Sequence, residues 1–274
     1  MSLSSQFENN PPRELSGVDR LWGEGAFLRL QDCTVALIGI GGVGSWCAEA
    51  LARSAIGQLV LIDLDHVSPS NINRQLMATS QTLGQAKVLS MKARIESIHS
   101  WCQIHTIEEM LSDDTGQQVL NQVFTLAGTR PLVIIDCCDD MAAKTWLALQ
   151  FLHHIHAATS HHQWKLIVSG AAGGKRHPHM IRLADMSHVT HDPLISNLRR
   201  RIKASLQPAC IPDSLMSSID CVFSIEPVQK PSQGGCDPTA KLHCAGYGSS
   251  VMVTSSFGLT AAACAVDWLN TQTS

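Results

Sequence analysis

The clearest pattern along the chain is a series of short apolar runs, each followed by a segment of helical character. Residues 34–40 (TVALIGI), 58–63 (QLVLID), 131–136 (PLVIID) and 165–169 (KLIVS) are continuously apolar rather than alternating, with many β-branched residues. Strands of a parallel sheet, covered on both faces, read this way. Residues 102–107 are a less sharply bounded candidate for a further strand, third in order. Between them, residues 43–56 are predicted helical, and residues 84–98 place Val88, Met91, Ile95 and Ile98 at intervals of three or four, as in an amphipathic helix. A helix over residues 141–153 follows the fourth strand. Strands alternating with helices predict an α/β fold with a doubly wound, mostly parallel, Rossmann-like sheet.

After Gly170 the pattern changes to short segments with scattered prolines and a Pro/Gly/Cys-rich stretch over 227–238, closed by an apolar helix over 251–269. The expected organisation is an N-terminal helical arm (1–30), an ATP-binding Rossmann-like domain (31–170) and a substrate-facing extension (171–274) packed on that same domain, with a flexible crossover at about 227–242. Residues 245–266 carry no charge and are long enough to span a bilayer. Their Gly, Ser, Thr and Ala content, with interruptions at Gly246, Gly248 and Gly258, favours a buried helix of a soluble domain instead.

Composition narrows the class. With 274 residues, 45% hydrophobic and 16% charged, the chain has the balance of a globular protein. A formal charge of −3 argues against holding nucleic acid by bulk electrostatics, so any RNA contact must use local basic patches. Ten cysteines without a Cys-x-x-Cys spacing, and a polar stretch over 1–12 lacking the apolar core of a signal peptide, predict a reducing, cytoplasmic location. His153, His154, His156, His161 and His162 read as a solvated helix end rather than a metal site.

The first strand runs into Gly39-Ile40-Gly41-Gly42-Val43-Gly44-Ser45 and then a helix. Glycines here let the backbone approach phosphates, which the N–H groups of the helix start stabilise. Alone this is ambiguous, because Gly39, Gly41 and Gly44 also satisfy a dinucleotide fingerprint with Asp63 on a ribose hydroxyl. Further residues break the tie. Asp63 and Asp65 put two carboxylates at the end of the second strand, one for ribose and one able to approach a metal or phosphates. Asn71, Asn73, Arg74 and Gln75 follow, then Lys87 near the start of the amphipathic helix. Arg74 and Lys87 supply the charge that a triphosphate needs and a nicotinamide does not. Asp139, beyond the fourth strand, is placed to hold Mg²⁺ from the other side of the crevice.

This set, the glycine loop with Asp63-x-Asp65, Asn71-x-Asn73-Arg74-Gln75, Gly84-x-x-Lys87 and Asp136-x-x-Asp139, resembles the ubiquitin-activating-like (ThiF/MoeB/HesA) adenylating superfamily. The resemblance implies an ATP site with Gly39, Gly41, Gly42, Gly44, Asp63 and Asp65 around adenosine and phosphates. It implies that Asn71, Asn73, Arg74 and Lys87 bind phosphates, with Arg74, Lys87 and Asp139 catalytic and Asp139 on Mg²⁺. It also implies a homodimer in which Arg13 or Arg20 reaches the partner's ATP. Thiamine- and molybdopterin-pathway members carry two Cys-x-x-Cys pairs for zinc, which are missing here, so no structural zinc is expected. The segments at Arg20–Glu24, Gly170–Gly174, Asp192–Leu194, Asp220–Ser224 and Cys244–Gly248 look instead like the tRNA threonylcarbamoyladenosine dehydratases, while the linker over 227–242 matches them poorly.

That family implies ATP-dependent closure of a ring. A free carboxylate is a poor electrophile, and transfer of its oxygen to the α-phosphate of ATP converts it into an acyl-adenylate, from which attack by the carbamoyl nitrogen expels AMP. Arg74, Lys87 and Mg²⁺ are then expected to stabilise phosphate charge rather than exchange protons. Cys221 and Cys244 are candidate nucleophiles, although both lie in apolar or small-residue segments where cysteine usually packs. Lys175, Arg176, Arg199, Arg200, Arg201 and Lys203 are the candidate contacts to tRNA. A cysteine desulfurase or sulfur-acceptor protein is a further candidate partner. Two other readings remain: an adenylyltransferase acting on the C-terminus of a small sulfur carrier, disfavoured by the absent zinc pairs, and an NAD-dependent oxidoreductase, disfavoured by Arg74, Lys87 and Asp65.

Overall fold

A computed structural model describes residues 11–157, 164–206, 212–229 and 247–272. Strands β1 (Thr34–Ile38), β2 (Gln58–Ile62), β3 (Gln103–Ile107), β4 (Leu132–Asp136), β5 (Trp164–Ser169), β6 (Ile181–Asp185) and β7 (Asp220–Ser224) form one sheet in the order β3-β2-β1-β4-β5-β7-β6. All pairings are parallel except β6 with β7. The helices are α1 (Gly17–Trp22), α2 (Ala26–Gln31), α3 (Gly44–Arg53), α4 (Lys87–Glu96), α5 (Gly116–Ala127), α6 (Met141–Ala157), α7 (Pro193–Leu206) and α8 (Val251–Asn270).

The continuous apolar runs are explained by two cores on opposite faces of the sheet. Val35 and Leu37 of β1, with Leu59 and Leu61 of β2, meet Phe27, Leu51, Met91 and Phe257 on one face. Ala36 and Ile38, with Val60 and Ile62, join the core of Leu120, Leu147, Phe151 and Leu198 on the other. A strand alternates its side chains between faces, so apolar residues at every position mean burial on both. Fully burying one such side chain contributes about 1.5–3 kcal/mol.

Several expected boundaries move. The amphipathic helix predicted from residue 84 begins at Lys87, because Gly84 has φ +80° and belongs to a tight turn in which its N–H donates to the Val67 carbonyl. The helix after the fourth strand extends to Ala157. Helix α5 was not anticipated, although Val119, Leu120, Val123 and Ala127 sit on its buried face at helical spacing.

A larger difference is that strands continue into the extension. The sheet does not close with β5, since β7 pairs with β5 through Ile167↔Asp220 to Ser169↔Val222 and β6 pairs with β7. Residues 171–274 therefore contribute to the same sheet as 31–170, and the division at residue 170 falls inside the sheet. At the other end, the expected N-terminal arm is partly core, with Ala26, Phe27 and Leu30 fully buried. Trp22 Nε1 donates to Asp267 (3.2 Å) and Arg29 to Asn270 (2.9 Å), tying α1 and α2 to α8.

Helix α8 is long and apolar enough to cross a membrane by length and composition. Its Val253, Phe257, Ala261, Ala265 and Leu269 are fully buried against the rest of the chain. It packs most extensively on α3, and Gly258 permits the approach: a Cβ there would stand 2.8 Å from the Cys47 nitrogen. The crossover expected at about 227–242 lies mostly outside the described residues, as do His161 and His162. His153 and His156 are exposed at the end of α6, and His154 lies against the Trp164 ring.

Candidate active site

Chain order reverses between β1 and β4: β2 and β3 lie on one side of β1, β4 and β5 on the other. The loops leaving the carboxyl ends of β1 and β4 therefore diverge and leave a crevice, the usual ligand position in open α/β sheets. Gly39, at φ +88°, starts the β1 loop, and a Cβ there would stand 2.8 Å from the Cys138 nitrogen of the β4 loop. At Gly42 a Cβ would come within 3.2 Å of Thr254 of α8 and 3.3 Å of the Arg74 side chain, and at Gly44 it would run into the Gly39 carbonyl. Three of the four glycines thus pack against neighbouring groups where any side chain would be crowded. Gly41, with only the Gln75 Nε2 as close as 4.0 Å, leaves its surroundings open.

Asp63 fixes this loop. Its carboxylate accepts the N–H of Ile40 at 2.6 Å and that of Asp65 at 2.8 Å. Burial raises the Asp63 carboxyl above the ordinary aspartate range, opposed by the nearby Lys87 charge and by these two N–H groups. Lys87 is buried at the start of α4, its Nζ 2.6 Å from Asp65 and 4.0 Å from Asp63. Asp65 is itself exposed. The lysine anticipated as a phosphate ligand is therefore already held at the mouth of the crevice by the two carboxylates expected beside it.

The polar segment between β2 and α4 is organised around a short 3₁₀ turn, Pro69–Asn71. Asn71 is buried and accepts the Ser68 N–H through its side-chain oxygen (3.0 Å), so it builds the turn that carries its neighbours. Arg74 donates to the Ser70 carbonyl at 2.6 Å and to Asn73 Oδ1 at 2.9 Å. Burial lowers the Arg74 value and the opposing charge of Asp139 raises it; an arginine so placed remains charged. Asp139, from the β4 loop, is thus close enough for its charge to act on Arg74. Asn73 Nδ2 donates to the Ser249 carbonyl (3.0 Å), joining this segment to the chain entering α8. Gln75 brings a buried carboxamide near Gly41, and its oxygen has no hydrogen-bond partner among the described residues.

Other residues complete the site, and apart from Asp136 they were not singled out in the sequence. Lys144 of α6 and Asp136 of β4 form an ion pair at 3.0 Å with both side chains almost wholly excluded from solvent. Burial acts to lower the Lys144 value, but Asp136 beside it more than compensates and holds it above the usual lysine range. Asp136 Oδ1 also accepts the Cys138 N–H at 3.1 Å, bracing the backbone against which Gly39 packs. Asp140 accepts N–H groups of Ala142 and Ala143 at the start of α6. Trp46 Nε1 donates to the Arg74 carbonyl (3.0 Å). The sequence signal for Lys144 is a lone cation in the apolar run following Asp136-x-x-Asp139.

The remaining candidates divide. Cys221 is fully buried in β7 and burial raises its thiol far above the ordinary range, so it cannot supply a thiolate nucleophile. Cys244 lies outside the described residues. Lys175 is corrected as an RNA contact: its side chain is buried, with Nζ 3.7 Å from Asp192 and donating to the Ser224 carbonyl at 3.1 Å. Arg199 is half-buried and donates to the Met186 and Ser187 carbonyls, whereas Arg176, Arg200, Arg201 and Lys203 are exposed. Arg13 and Arg20 are both exposed, and Arg20 donates to Ser16 Oγ at 3.4 Å.

Against known proteins, the ThiF family profile matches residues 16–271. A tRNA threonylcarbamoyladenosine dehydratase of Haemophilus influenzae is 34% identical over 263 residues, covering 95% of each chain. The Escherichia coli enzyme of the same name is 32% identical, over 91% of this chain and 90% of its own. The crystal structure of the Escherichia coli dehydratase in complex with ATP superposes with a TM-score of 0.78 at 31% identity, covering 94% of this chain and 93% of that one. The sheet with its glycine-lined crevice and the match over nearly the whole chain lead to one assignment: the chain belongs to the ThiF family.

Proposed function

We propose that this protein is an ATP-dependent tRNA threonylcarbamoyladenosine dehydratase, converting N6-threonylcarbamoyladenosine next to the anticodon to its cyclic form. One observation carries the reading: Arg74 and Lys87 stand at a glycine-lined crevice at the switch point of the sheet, with Asp139 opposite. A triphosphate requires such cations, and the long relatives named above are dehydratases of this kind.

ATP enters with its adenosine by Asp63 and its phosphates along the glycine loop and the N-terminus of α3, where N–H groups and the helix dipole favour negative charge. Asp63 accepts further donors from ribose while bracing Ile40, since a carboxylate has about four acceptor sites. Lys87 leaves or shares the exposed Asp65 to meet the phosphates, and Arg74 neutralises charge as a threonyl carboxylate oxygen attacks the α-phosphorus and pyrophosphate departs. Internal attack by the carbamoyl group on the activated carbonyl then forms the ring and releases AMP, for a net loss of one water.

Among the described residues no three His, Cys, Asp or Glu side chains are grouped to hold a metal by themselves. Asp136 pairs with Lys144 and Asp140 with the helix start, and Asp139, whose charge acts on Arg74, is the carboxylate the family resemblance assigns to Mg²⁺. One carboxylate plus phosphate oxygens and water is a normal Mg²⁺ environment, and the ion would neutralise developing phosphate charge. The exposed Arg200, Arg201 and Lys203 of α7, with Arg176, offer a local basic surface to tRNA. A homodimer would bring Arg13 or Arg20 of one copy over the other's ATP, in the cytoplasm where tRNA and ATP are available.

The test incubates the protein with ATP, Mg²⁺ and total tRNA, digests to nucleosides and follows threonylcarbamoyladenosine by mass spectrometry. Loss of one water is expected. Its absence, with ATP consumption only when a sulfur-carrier protein is supplied or binding of NAD in place of ATP, would transfer the assignment to one of those classes.

A further inference from the structure

The segment that leads into α8 touches both the nucleotide crevice and the glycine-rich strand end of the extension. The Ser249 carbonyl accepts Asn73 Nδ2 at 3.0 Å, and the Gly248 carbonyl accepts the Gly174 N–H at 2.8 Å. Immediately before them stands Tyr247, the single tyrosine of the chain. Its side chain lies over Gly173 and Gly174: a Cβ on Gly174 would stand 3.3 Å from Tyr247 Cδ1 and 2.8 Å from Val228 Cγ1, and one on Gly173 would stand 3.7 Å from Tyr247 Cβ. Gly174, at φ +70°, also accepts the Gln229 N–H (2.7 Å), so the seat under the ring is pinned from two directions. Tyr247 is half-buried, neither sealed in the core nor loose in solvent.

We propose that Tyr247 is the stacking platform for the adenine that carries the threonylcarbamoyl group, a role that rests on the dehydratase reading above. Three features converge on it. The reacting carboxylate is joined to the base by a short arm, so the base must lie close to the α-phosphate. Tyr247 is two residues from the carbonyl that holds Asn73, whose side chain in turn accepts Arg74. A single-stranded base presented to an enzyme is unstacked from its neighbours, and proteins replace that stacking with an aromatic ring. Beyond the ring the chain turns to the exposed Arg176 and His177, whose backbone N–H groups are held by Glu226 at 3.1 and 2.8 Å. Arg176 is positioned to receive the backbone phosphate beside the stacked base, and Glu226 sets the turn that presents it. Tyr247 thereby selects for an unpaired, extruded base, while Arg74 and Lys87 act on ATP alone.

The experiment uses the full chain, a threonylcarbamoyl-bearing anticodon stem–loop and a non-hydrolysable ATP analogue, reading stem–loop binding and ATP binding separately, together with turnover on ATP. Tyr247→Ala is expected to weaken stem–loop binding about five- to 150-fold, the range that removal of one base–aromatic stack gives. ATP affinity and melting temperature should stay at wild-type values, and Tyr247→Phe should restore stem–loop binding because the ring, not the hydroxyl, is required. Unchanged stem–loop binding in Tyr247→Ala overturns the proposal, as does an equal loss of ATP affinity or a Tyr247→Phe variant as weak as Tyr247→Ala. If the wild-type protein binds the loop with Tyr247 dependence but removes no water, the dehydratase reading fails and the platform stands. If the wild-type protein does not bind the loop, both fail.

Discussion

Two lysine–aspartate pairs border the crevice, and they differ in the solvent around the aspartate. Lys87 pairs with Asp65 at 2.6 Å, and the Asp65 side chain is 72% exposed. Lys144 pairs with Asp136 at 3.0 Å, and both side chains are at most 1% exposed. An exposed partner is screened by water and is left at little cost. A buried partner has no water to replace it, so separation strands a charge in a medium that cannot solvate it. On the function proposed above the first pair opens toward a ligand, while the second holds the Cys138 backbone, and with it the wall behind Gly39, in one position.

The largest effect should come from breaking the sealed pair on one side only. Lys144→Met leaves Asp136 buried without its cation and is expected to cost about 3–5 kcal/mol of stability, read by denaturant unfolding. Adding Asp136→Leu should recover much of it; a single variant as stable as wild type would dissolve the contrast. Next comes Lys87→Ala, expected to lower the adenylation rate about a hundred- to a thousandfold with unfolding little changed. Near-normal turnover in that variant would remove Lys87 from the phosphate site.

A subtler separation uses pH. Burial raises the Asp63 carboxyl, so it takes up a proton at a higher pH than a free aspartate, whose value is about 3.9. ATP affinity should therefore fall on acidification before that value is reached, because the protonated group no longer accepts the Ile40 N–H as an anion. The stability term has the opposite sign. A raised folded-state value means that Asp63 contributes stability below its unfolded value and loses it as pH rises through the folded one. Calorimetric ATP titrations and denaturant unfolding over the same acid range should diverge, and Asp63→Asn should flatten both. The smallest effect is expected from Asp65→Asn, less than about fivefold on turnover, as suits an exposed ion pair. If that variant were as impaired as Lys87→Ala, Asp65 would be a ligand in its own right rather than a partner that Lys87 leaves.

The central sheet was legible because its strands are buried on both faces, which writes an unbroken apolar run at β1, β2, β4 and β5. The two strands after β5 were not. β6, at the edge of the sheet, has exposed Arg182 and Leu183, since an edge position relaxes the pattern that identifies a strand, while β7, inside the sheet and mostly buried, was quoted only as a family segment. Among the site residues, Gly39, Asp63, Arg74, Lys87 and Asp139 were found through type and spacing next to strand ends. Lys144 escaped notice because an isolated lysine in a helix is ordinarily a surface residue, and Lys175 was misassigned for the same reason in reverse: adjacent basic residues read as an exposed patch, yet one is folded under Phe257 and against Asp192.

By itself the sequence determined the alternation of strands and helices, the glycine loop after β1 and the set of polar residues gathered at strand ends, because these follow from local periodicity and residue chemistry. The tertiary structure alone decided that the extension enters the same sheet, which of the paired charges are sealed and which are open, and that Tyr247 and Asn73 are joined through a single stretch of backbone. Burial and ion pairing depend on what packs from distant parts of the chain, and no neighbour along the sequence records it.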